Sequence, residues 1–244
     1  MPMSYIFREH IKQSLAVIAF LITLTACTSE SYDAGDGPNS YLTADLVLLH
    51  TSQDKSVRSA LLDDGTTLQF SNPFAQDWLT RPDSVYRALL YYDKTVAASD
   101  AAASNPTATS IVRARSVSPV SVLRPVEAED METLRTDPVG FESIWMSKNK
   151  SYINLSLLLK SGKTEADDAL HALGIVSHGT TTDADRRRTL HLTLYHDQGG
   201  VPAYYTVQQY VSIPTQLLEK ADTVELTLNT YNGKKVVKVA VSNL

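Results

Sequence analysis

Between Tyr152 and Lys160 the chain alternates with period two. Ile153, Leu155, Leu157 and Leu159 fall on one side, Tyr152, Asn154 and Ser156 on the other. Successive side chains of a strand point to opposite faces, so this stretch predicts a strand with one oily and one wet surface. The pattern recurs. Leu190, Leu192 and Leu194 oppose Thr189, His191, Thr193 and Tyr195; Val224, Leu226 and Leu228 oppose Glu225, Thr227 and Asn229. Val237, Val239 and Val241 oppose Lys238 and Ser242. Half-wet strands in series fit antiparallel sheets packed face to face, and we expect a β-sandwich over residues 137–244. Within it, Asn232-Gly233 reads as a tight hairpin turn with both residues at positive φ.

One stretch of the expected sandwich has a wet face of another kind. In Val201–Pro214, Ala203, Tyr205, Val207, Val211 and Ile213 share the side expected to enter the core. The opposite side shows Tyr204, Thr206, Gln208 and Tyr210, rings interleaved with hydroxyl and amide groups. Aromatic rings stack on sugars or peptides while amides and hydroxyls orient them, which makes these four the candidate binding face. A tyrosine ladder that only stabilises its sheet has the same pattern.

The first half is also built of strands, shorter and less regular: 41–50, 57–62, 66–70, 85–92 and 110–123, the last interrupted at Pro119. The stretch DDGTT, Asp63 to Thr67, supplies a hairpin turn, and AASDAAASNPTATS, residues 97–110, reads as a loop low in bulky side chains. Five short strands with one long excursion fit a small OB-like barrel over residues 41–125. The charged residues 126–136, just before Asp137-Pro138, read as a linker or short helix. The expected fold class is therefore all-β, an OB-like barrel followed by an antiparallel sandwich.

The N-terminus breaks the pattern. An apolar run from Leu15 to Ala26 follows Arg8 and Lys12 and stops at Cys27, the single cysteine of the chain. It is shorter than the ~20 residues a membrane-spanning helix needs. Its basic, apolar, small-residue order is that of a signal peptide, expected over residues 1–26. Leu24-Thr25-Ala26-Cys27 resembles the lipobox of bacterial lipoproteins, which implies a lipidated Cys27 and a membrane anchor, with residues 28–40 (TSESYDAGDGPNS) as its polar tether. Thr28 rather than Asp after the cysteine implies, by the same resemblance, the outer membrane, with periplasmic and surface-exposed display both open.

Charge narrows the partners. The chain has 22 Lys and Arg against 27 Asp and Glu, a net charge of −5. Nucleic-acid binding needs clustered cations, and the one cluster, Arg186-Arg187-Arg188, follows turn-like sequence, so no nucleic-acid partner is expected.

Candidate chemistry is thin. Gly162-Lys163-Thr164 looks like the end of a phosphate loop, yet position 157, where that loop needs glycine, is Leu157 in a strand pattern. His50, His171, His178, His191 and His196 are scattered; parity separates His191 from His196 and His171 from His178, so a metal site is not expected. There is no Gly-x-Ser-x-Gly elbow, and Asp63-Asp64, Asp167-Asp168 and Asp183 with Asp185 all sit in turn sequence. No catalytic residue and no cofactor is assigned.

The lipobox with its acidic tether, LLDDGTTLQF in the first half, and SYINLSLLLKSG, HLTLYHDQGG and YVSIPTQLL in the second resemble the NigD-like lipoproteins of Bacteroidales-type bacteria. The resemblance implies an N-terminal OB-like domain and a C-terminal β-sandwich, and it carries over no catalytic or ligand residues. The expected role is a non-catalytic envelope module that binds a glycan, a peptide or a protein partner. A structural or assembly protein of the fimbrial-subunit type is the alternative, and a cryptic hydrolase the third reading.

Overall fold

The computed structural model describes residues 42–94, 110–163, 169–218 and 221–241. The predicted signal peptide, Cys27 and the tether lie outside the described residues.

Five strands close into a barrel: β1 (Leu42–Thr51), β2 (Val57–Leu62), β3 (Thr67–Phe74), β4 (Val85–Lys94) and β5 (Ser110–Pro119), in the order β1-β2-β3-β5-β4. All pairs are antiparallel except β3 with β5, as the long excursion before β5 permits. Alternate residues turn inward: Val47, Leu49, Val57, Ala60, Ala88 and Leu90 are all sealed from solvent, and Leu68, Phe70, Leu79 and Tyr92 complete the plug. Burying each large side chain contributes about 1.5–3 kcal/mol.

The sandwich follows: β6 (Ser121–Val122), β7 (Pro125–Glu127), β8 (Gly140–Met146), β9 (Tyr152–Ser161), β10 (Ala172–Thr182), β11 (Arg188–Asp197), β12 (Tyr205–Pro214), β13 (Thr223–Thr230) and β14 (Gly233–Ala240). One sheet has the order β14-β13-β11-β10-β7 and the other β6-β12-β9-β8. The predicted oily rows meet between them: Ile153, Leu155 and Leu157 from β9 face Leu190, Leu192 and Leu194 from β11 with Leu226 and Leu228 from β13, all at most 2% exposed.

Several expectations are revised by the pairing. Ser121–Val122 pairs in parallel with β12, and Pro125–Glu127 in parallel with β10, so strands of the sandwich occupy the end of the stretch expected for the barrel and the start of the expected linker. They are too short for alternation to reveal. The hairpin between β13 and β14 has Thr230 opposite Gly233, which makes Tyr231 and Asn232 its central residues; only Gly233 has positive φ, at 103°. This is the longer hairpin turn that ends in a left-handed glycine, and it puts the Tyr231 ring at the tip. Ala203 and Tyr205 are exposed rather than in the core, because β12 meets covering sheet only from Val207 onward.

Candidate binding face

The barrel sits against one end of the outer face of the four-stranded sheet, and a buried polar joint fixes it there. Arg87 of β4 donates to both carboxylate oxygens of Asp63 (2.6 and 2.7 Å), to the Asn154 side-chain oxygen (3.0 Å) and to Ser212 Oγ (3.1 Å). Its guanidinium carbon lies 4.4 Å from the centre of the Tyr152 ring. Ser212 Oγ donates to the Asn154 oxygen, and Asn154 Nδ2 donates to Asp63, so every group in the cluster has partners. The DDGTT turn places Asp63, with Gly65 at φ 90° closing the hairpin. The backbone crosses at the same place: Val120 N–H donates to the Arg87 carbonyl and Leu123 N–H to the Ser212 carbonyl.

Beyond the joint, the outward residues of the same strands form an open face. Register puts Tyr210 opposite Ser156 and Thr206 opposite Lys160, and across β9 it puts Trp145 of β8 beside Asn154. The Trp145 and Tyr210 rings meet edge to face, centroids 6.3 Å apart, the preferred geometry for two ring quadrupoles. Trp145 stays 36% exposed.

A β-bulge completes the face. Phe141 pairs with Leu157 and Ser143 with Ser156, which leaves Glu142 as the extra residue. Bulges re-aim side chains, and this one brings the Glu142 carboxylate over the sheet. Its Oε2 accepts from Ser156 Oγ (2.6 Å) and Gln208 Nε2 (2.5 Å), and Gln208 also donates to Ser156 Oγ (3.0 Å). The Ser156 and Gln208 bonds hold the carboxyl below its usual range, so it stays an anion. Gly140 is required beside the bulge, since a Cβ there would lie 2.7 Å from the Leu158 Cβ.

Of the four predicted face residues, Gln208 and Tyr210 join this cluster. Thr206 accepts from Lys160 Nζ at 3.0 Å, one pair further along. Tyr204 precedes the strand and stands 78% exposed, held by its N–H to the Ser161 carbonyl. Trp145, Glu142 and Ser156 were missed; the alternation of β9 pointed to Ser156, but the bulge breaks the alternation of β8 and hid the other two.

The histidines are less scattered than expected. His196, sealed in the sandwich, stacks on His171 with ring nitrogens 3.0 Å apart. His196 Nδ1 donates to the Asp137 carbonyl, so its Nε2 accepts from His171 Nδ1, and His171 Nε2 is buried with no hydrogen-bond partner. Burial, then the neighbouring His196, lowers the pKa of His171. His178 bonds Thr193, and His191 lies between Thr181 and Glu225. Among the described residues no three His, Cys, Asp or Glu side chains gather as a metal site. Leu157, the position that bears on the phosphate loop, is interior to β9, and residues 164–168 lie outside the described residues.

Barrel, sandwich and face together define an all-β protein with a small closed barrel locked to a two-sheet domain. Residues 122–241 match the family model of the NigD-like C-terminal beta sandwich domain, so the sandwich is a NigD-like C-terminal domain. Solved structures share the fold. A NigD-like immunity protein from Bacteroides caccae is similar at 22% identity and TM-score 0.58, covering 81% of this chain and 91% of that one. A provisionally named lipoprotein from Bacteroides fragilis is similar at 14% identity and TM-score 0.57, covering 82% and 98%. A protein provisionally named as toxin-related, from Parabacteroides distasonis, is similar at 20% identity and TM-score 0.53, covering 81% and 92%. No curated protein matches the chain in sequence.

Proposed function

We propose that this protein is a lipid-anchored, non-catalytic binding module of the outer membrane that holds a glycan on the outer face of its four-stranded sheet. The observation that carries this reading is the exposed Trp145–Tyr210 pair standing beside the Glu142–Gln208–Ser156 cluster. The rings offer a platform for the apolar face of a sugar, and the carboxylate and amide offer an acceptor and a donor for its hydroxyls. The anchor rests on Leu24-Thr25-Ala26-Cys27 at the end of the apolar run. Among the described residues no helix is long and apolar enough to cross a membrane. The fold-level likeness to a provisionally named lipoprotein points the same way.

The test is a neutral-glycan array followed by titration calorimetry on the best ligand. Trp145→Ala and Tyr210→Ala are expected to weaken binding at least about tenfold, the effect of losing ~1.4 kcal/mol. Unchanged affinity in both variants would overturn the reading. For the anchor, Cys27→Ala is expected to abolish palmitate labelling and release the protein from the membrane fraction; persistent labelling would refute it.

A further inference from the structure

The two flanks of the sandwich are finished differently. On one flank the sheets end in the short strands β6 and β7, which continue from the barrel. On the other they end in β8 and β14, whose edges approach each other. β14 is eight residues long, pairs with β13 from Gly233 to Ala240 without a register shift, and among the described residues has no strand on its other side. Its outward N–H and C=O groups form an unbroken template for another strand.

The seam between these edges is where the core is thinly covered. The partly buried residues packed on the core include Phe141, Ile144 and Met146 from β8 and Val237 and Val239 from β14. At the hairpin end it opens into a groove of about 290 Å³ lined by Phe141, Tyr231, Lys234 and Lys235. Lys235 Nζ lies 4.8 Å from the centre of the Phe141 ring. β14 has three lysines and no acid, in a chain of net charge −5. Lys238 pairs with Glu225, while among the described residues Lys234 and Lys235 have no carboxylate partner.

From this geometry we infer that β14 is a docking edge for an extended segment of another protein, apolar toward the seam and acidic toward solvent. Backbone hydrogen bonds to β14 supply the pairing. An apolar side chain of the segment fills the groove against Phe141 and Tyr231, and its carboxylates meet Lys234 and Lys238 on the outer side and Lys235 at the mouth. Lysines that only guard an edge against self-association explain the cations but not the groove. The surface is separate from the Trp145–Tyr210 face, so either proposal can fail alone.

The experiment uses the full mature chain and the synthetic peptide acetyl-(Glu-Val)₄-amide, with a Lys-Val counterpart and a backbone N-methylated version as controls. Amide hydrogen exchange is expected to slow at least about tenfold at alternate positions of Gly233–Ala240 with the acidic peptide and to be unchanged with either control. Lys234→Glu with Lys235→Glu is expected to abolish the effect, with exchange of the β9 amides unchanged as the check on folding. No protection of β14, equal protection by the N-methylated peptide, or protection confined to the Trp145 face would overturn the inference. It would also fall if Lys234→Ala with Lys235→Ala left peptide protection intact while making the chain self-associate, or if peptide-free protein already dimerised through β14.

Discussion

Arg87 and Asn154 share a hydrogen bond of 3.0 Å across 67 residues of sequence, one on a barrel strand and the other on the sandwich. The Arg87 side chain is 1% exposed, and its partner Asp63 is 20% exposed. A buried fork of this kind is fully occupied only when both domains are in place, so the joint acts as a lock between them.

Arg87→Met keeps the bulk but removes the fork, and leaves Asp63, Asn154 and Ser212 short of donors. Breaking a buried pair from one side costs about 3–5 kcal/mol, and the part-exposure of Asp63 favours the lower end. Urea unfolding followed separately by barrel and sandwich probes is expected to split into two transitions. A single coincident transition of unchanged midpoint would refute the lock.

Glu142 is held as an anion by Ser156 and Gln208, so its titration reports the face. Its midpoint by NMR is expected below the ordinary 4.5. Ser156→Ala should raise it more than Gln208→Ala does, because the serine bond is the larger cause. A native midpoint at or above that of an unstructured peptide would show that the cluster does not form in solution.

His171 has a lowered pKa in the folded chain, so the unfolded chain binds its proton first as pH falls. Stability is therefore fully present above the unfolded value of 6.5 and is lost as pH drops through it toward the folded value. The melting temperature should fall over that interval, and His171→Gln should flatten the slope. An equal slope in wild type and variant would place the acid sensitivity elsewhere.

Gly140→Ala forces a Cβ to within 2.7 Å of the Leu158 Cβ, so β8 must shift. The overpacking cost is about 1–3 kcal/mol, read as a drop in the urea midpoint. Because the bulge follows directly, the Glu142 titration should move toward 4.5 in the same variant.

The long strands were legible in the chain because each pairs an oily row with a wet one: Ile153 to Leu159 and Leu190 to Leu194 lie where alternation put them. Strands β6 and β7 were not, since two or three residues hold no period. Strand β8 has a bulge that shifts the phase after Phe141, and that single irregularity hid Glu142 and Trp145. The rest of the face was half visible. Gln208 and Tyr210 stood out in one strand, but their partners come from two others, and cross-strand register cannot be read from one segment. The pairing of His171 with His196 was missed for the same reason, because parity along one strand says nothing about the neighbouring segment.

The seven residues from Ser121 to Glu127 hem both sheets of the sandwich at once, one stitch into β12 and the next into β10. A fragment cut at Asp137, where the sequence invites the cut, would lose a border from each sheet and the ties at Val120 and Leu123. Excision for expression should therefore begin no later than Val120, and tension drawn through the barrel would reach both layers of the sandwich together rather than peel one from the other.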